Sequence, residues 1–91
     1  MSTKTTEEDF HALYQLLVDV KNVDDCRALL DDLCTRKEIE KMAERIRAAK
    51  LLLEGKTYNQ VIEETEISSA TLSRVSRCVQ YGTGYNKFLK K

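Results

Sequence analysis

From Thr6 onward the apolar residues recur at helical spacing, in steps of three and four, and nowhere alternate as in a strand. Phe10, Leu13, Tyr14, Leu17 and Val20 form one stripe and predict a first helix over residues 6–21. Thr6 with Asp9 three residues on is an N-cap pattern, and Glu7 and Glu8 suit the positive end of the helix. Asn22 closes this helix and caps a second over residues 23–34, with Cys26, Leu29, Leu30 and Leu33 on its buried side. Thr35-x-x-Glu38 then reads as a capping box opening a long third helix to about Glu54. Its broad apolar face carries Ile39, Met42, Ala43, Ile46, Ala49, Leu52 and Leu53, and Gly55 is its expected stop.

The next signals are closely spaced. Thr57-x-x-Gln60 is another capping box, predicting a fourth helix over residues 58–65 that buries Val61 and Ile62. After a break at Glu66-Ile67, Ser68 caps a fifth helix running to about Gln80, with Leu72, Val75 and Val79 inward. Residues 81–84 form a turn, and a short last helix or frayed tail follows in which Tyr85, Phe88 and Leu89 pack back. The expectation is an all-α bundle of five to six helices in a single domain of 91 residues.

Composition narrows the reading. A chain this short buries a modest core, so dimerisation is a natural way to cover the first helix's stripe and the third helix's face. Three cysteines (Cys26, Cys34, Cys78) without metal-ligand spacing suit a reducing, cytoplasmic setting, and no apolar run is long enough to cross a membrane. Net charge is zero but unevenly spread: residues 1–34 hold three basic and eight acidic side chains, residues 35–91 twelve and seven. From Ser68 onward there are five basic residues (Arg74, Arg77, Lys87, Lys90, Lys91) and no acid, which is a local footprint for a polyanion.

The stretch TYNQVIEETEISSATLSRVSRCV, residues 57–79, carries the functional expectation. It reads as capped helix, tight break, capped helix: a helix-turn-helix. The second helix opens on small residues, Ser68, Ser69, Ala70, Thr71 and Ser73, which let a major-groove reader approach base edges closely. Arg74 and Arg77 follow, with Lys56 and Thr57 at the start of the first helix of the pair, to hold phosphates. A helical pair that docks a protein partner is the alternative. No nucleophile–base pair, metal cluster or phosphate loop points to an enzyme, and His11, the one histidine, sits near a polar helix start.

The segments LCTRKEIEKMAERIRAAKLLLEG (33–55) and QVIEETEISSATLSRVSR (60–77) resemble the Trp repressor superfamily, and within it the YerC/YecD-type proteins. The resemblance implies an intertwined homodimer whose N-terminal helices (1–34) interlock with the partner chain. Two helix-turn-helix units would face successive major grooves of a palindromic operator in double-stranded DNA. It also implies a candidate effector pocket: Arg45 and Arg74 match the arginines that sandwich the co-repressor ring, and Thr35 matches a threonine nearby. By charge alone Arg74 equally suits phosphate, and Arg45 an ion pair with Glu40 or Glu44. This chain has Val75 where the family has a glycine and Cys78 where it has a serine. Asp32 and Cys34 stand where it has leucines, so tryptophan is not the expected ligand and no cofactor is implied. Glu66 replaces a glycine of the helix-turn-helix break, a position that calls for positive φ.

Overall fold

A computed structural model describes residues 4–90. Among these residues it contains six helices and no strand: α1 (Glu7–Asp19), α2 (Val23–Leu33), α3 (Arg36–Leu53), α4 (Tyr58–Thr65), α5 (Ser69–Tyr81) and α6 (Gly84–Phe88). The all-α expectation holds, and the tail that sequence left as helix or frayed end is a short helix. The chain divides into two compact units, one ending at Thr35 and the other beginning at Arg36.

The N-terminal unit is α1 and α2. Thr6 caps α1 through a reciprocal box, its Oγ1 accepting from the Asp9 amide at 3.3 Å while Asp9 Oδ2 accepts from the Thr6 amide at 3.0 Å. The helix stops at Asp19, two residues before the expected end, because Val20 is already extended at φ −68°, ψ 130°. Asn22 caps α2 as anticipated, its Oδ1 accepting from the Asp25 amide at 2.8 Å. No residue of either helix is buried. Leu33, expected on the buried side of α2, is 50% exposed, and the α1 stripe of Phe10, Leu13, Tyr14 and Leu17 is open to solvent in the single chain.

The C-terminal unit holds the core. α3 ends in a Schellman motif around Gly55 (φ 94°): the Gly55 amide donates to Leu52 O at 3.0 Å and the Lys56 amide to Leu51 O at 3.1 Å. Thr57 and Gln60 make the expected box at the start of α4, with bonds of 2.8 and 3.2 Å. Ala48, Ala49, Val61, Ile67, Leu72 and Val75 are buried together. α3 is thereby packed against α4 and α5 through two of the smallest side chains it has. Leu51, Leu52, Ile62, Val79, Tyr85 and Leu89 pack around this centre.

The α4–α5 connection is three residues, Glu66 to Ser68. Glu66 is the one non-glycine residue with positive φ among the described residues, at φ 60°, ψ 19°. A threonine holds it there. The Thr65 hydroxyl donates to Val61 O at 2.7 Å and accepts from the Ile67 amide at 3.2 Å, tying the end of α4 to the outgoing chain. Ile67, next along, is 2% exposed and anchors the turn in the core. Glu66→Gly should therefore stabilise the fold, by up to about 1 kcal/mol, since glycine takes the left-handed conformation without the β-carbon clash. Thr65→Val keeps the shape but orphans the Ile67 amide, and should cost about 1–2 kcal/mol. Thermal unfolding of both variants reads these shifts in opposite directions.

Candidate nucleic-acid interface and adjoining cavity

α5 divides its residues between core and solvent. Leu72, Val75 and Ser76 are buried, whereas Ser69, Ala70, Ser73, Arg74 and Arg77 are exposed. This follows from helical spacing: the small hydroxyl and basic residues share the face opposite the one held by α3. Ser68 is the N-cap, its Oγ accepting from the Thr71 amide at 3.2 Å and donating to Thr71 Oγ1 at 2.9 Å. Thr71 is half-buried, and its hydroxyl is engaged by Ser68. Lys56 and Thr57 are exposed at the start of α4, where the Thr57 hydroxyl serves the Gln60 amide. Lys87 and Lys90 are exposed near the C-terminus, and Lys91 lies outside the described residues. The exposed first turn of α5 thus carries small side chains only, with two guanidinium groups one and two turns further on.

Beside this face is a cavity of about 420 Å³, within the range of small-molecule sites. α3 gives it Arg45; α5 gives it Thr71, Arg74, Val75 and Cys78; Gly82, Gly84, Tyr85 and Phe88 complete it. Four of the five candidate pocket residues are brought together here. Thr35, in the N-terminal unit, is not part of the lining. No ion pair is formed by Arg45 or Arg74 among the described residues, and Glu44, which sequence offered to Arg45, lies 3.9 Å from Lys41 instead. Val75 is 2% exposed and belongs to the core as much as to the cavity.

Sequence reasoning missed the α6 side of this cavity. Of the apolar trio expected to pack back, Tyr85 and Leu89 do so, whereas Phe88 is mostly exposed, and it is Tyr85 and Phe88 that form a wall of the cavity. The bonds that position it give no signal in the residue pattern: the Asn86 side chain donates from Nδ2 to Val79 O at 2.7 Å and to Gly82 O at 3.1 Å, folding α6 onto the end of α5. Gly82 is required at that corner, since a β-carbon there would lie 2.7 Å from the Cys78 carbonyl oxygen.

The family model described as Trp repressor protein matches residues 8–91. The uncharacterised protein YerC of Bacillus subtilis (strain 168) is 39% identical over 79 residues, 87% of this chain and 76% of that protein. Two crystal structures share the fold. A Staphylococcus aureus protein provisionally classed as a Trp repressor has a TM-score of 0.80 and 33% identity, covering 86% of this chain and 78% of its own. A TrpR-like protein from Eubacterium eligens ATCC 27750 has a TM-score of 0.83 and 34% identity, covering 94% and 95%. With a family match across both units and relatives of this similarity, the chain belongs to the Trp repressor family.

Proposed function

We propose that the chain is a sequence-specific DNA-binding transcriptional regulator, acting as a repressor and as a homodimer, with α4 and α5 as its helix-turn-helix. The observation that carries this reading is the first turn of α5. Ser69, Ala70 and Ser73 stand exposed on a helix whose other face, Leu72 and Val75, is locked in the core. A rigid helix with a small-residue opening turn can sit close against base edges, where hydroxyls read donors and acceptors and a methyl meets thymine. Arg74, Arg77 and Lys56, exposed around that turn, supply phosphate contacts that fix its register. No helix among the described residues is long and apolar enough to cross a membrane. A cytoplasmic protein associated with the nucleoid is the setting this function implies.

The homodimer rests on α1. Phe10, Leu13, Tyr14, Leu16 and Leu17 are between 36% and 59% exposed on one helix, an apolar face too wide to leave in water. A second copy of the chain covers it, and two reading helices related by a two-fold axis suit a palindromic site. Tryptophan is not the co-ligand. Val75 adds branched bulk at the cavity wall, and the Cys78 thiol is a weak hydrogen-bonding partner for an ammonium group. No cofactor enters the function.

Selection from random DNA followed by titration tests the reading. A palindromic site should be enriched, and affinity should fall roughly thousandfold between 50 and 200 mM salt as counterions are released. Arg77→Ala should lower the log–log salt slope by about 0.9 for each phosphate the variant no longer neutralises. Binding that ignores salt and sequence would point to a protein-docking module instead. Replacing Leu13 and Leu17 together by glutamate removes about 1.5–3 kcal/mol of burial per side chain. Sedimentation should then show a monomer, whereas a wild-type chain already monomeric at tens of micromolar would overturn the dimer. Millimolar tryptophan should leave operator affinity unchanged.

A further inference from the structure

Phe88 lines the cavity, yet 77% of it is open to solvent, with Lys87 Nζ 5.7 Å from its ring centre. It sits on the loose edge of α6. The opposite edge, Tyr85 and Leu89, packs against the core, and Asn86 pins the first turn of α6 to α5. The connection into α6 is Gly82-Thr83-Gly84. Thr83 makes no side-chain cap, and a β-carbon at Gly84 would meet nothing within 4 Å. α6 is thus anchored at one edge, free at the other, and joined through a connection with two glycines.

The same cavity is lined by two arginines, Arg45 and Arg74, with no acid in the lining. Like charges facing one space favour an occupant with a negative or π-rich face, and an aromatic ring between guanidinium planes provides one. Such a ring is already at the rim. Tethered by a few residues, it is present at an effective concentration in the millimolar range, which a scarce free ligand does not match.

We propose that α6 is a lid on this cavity, and that its closure seats the Phe88 ring between Arg45 and Arg74, so that the chain fills its own pocket. Closure needs a turn of the Phe88 side chain and the small tilt of α6 that Gly82 and Gly84 allow. Because Arg74 lies on α5, a closed lid steadies the helix proposed to read DNA, and no diffusible co-ligand is needed. That last consequence rests on the DNA-binding reading; lid closure itself does not.

The chain contains no tryptophan, so Phe88→Trp installs a single reporter. Acrylamide quenching of this full-length variant, without DNA, is expected to be at least threefold slower than in the urea-unfolded chain. Adding Arg45→Ala should return it most of the way to the unfolded rate. Phe88→Ala, which removes the ring that closes the lid, should keep the wild-type helical signal while weakening operator binding about tenfold. Quenching as fast in the folded as in the unfolded chain, indifferent to Arg45, overturns the lid. So does unchanged operator affinity in Phe88→Ala with phenylacetate tightening binding by the wild type, since the occupant would then be a diffusible aromatic anion. If the wild type binds no DNA, the DNA-binding reading fails and the quenching result still decides the lid.

Discussion

Two alanines set the architecture of the C-terminal unit. Ala48 and Ala49 are wholly buried on α3, and their small side chains let Leu72 and Val75 of α5 and Val61 of α4 share one core. Close packing of this kind has little slack, so a larger side chain at either alanine displaces a whole helix. The position of α5, the exposure of its first turn and the shape of the neighbouring cavity all follow from that packing. Ile67 extends it into the α4–α5 connection, so the turn is held by burial as well as by its hydrogen bonds.

Much of this was legible in the residues because the signals are local. The boxes at Thr6 and Thr57, the cap at Ser68 and the glycine stop at Gly55 each depend on side chains within a few positions, and the structure has all four. Glu66 was also readable, as a residue in a glycine's place, but the means of holding it was not. A threonine hydroxyl bonding forward and backward leaves no periodic trace. The cavity was half legible. Arg45, Arg74, Val75 and Cys78 came from resemblance, whereas Phe88 depends on a fold-back made by Asn86 seven residues beyond Val79.

Burial was the least legible property. Leu33 shares the spacing of Leu29 and Leu30 but is half exposed, and the α1 stripe is present without anything over it in the single chain. Periodicity reports that a face is apolar and is silent on whether that face meets its own chain or another. The contrast between the two units has a thermodynamic side. The C-terminal unit has a core of its own, whereas α1 and α2 contribute no buried side chain to the isolated protein. Their apolar surface is hydrophobic free energy that the single chain does not realise.

The thirteen residues of α5 divide between core and outer surface, with Val75 alone placed in both the core and the cavity lining. Leu72, Val75 and Ser76 answer to α3, while Ser69, Ala70, Ser73 and Arg77 answer only to whatever approaches from outside. Surface substitutions away from caps and buried groups usually change stability little. A gene duplicate could therefore drift along this face, one exposed residue at a time, with each intermediate still folded. The scaffold is in this sense evolvable: its exposed face can change without passing through an unstable ancestor.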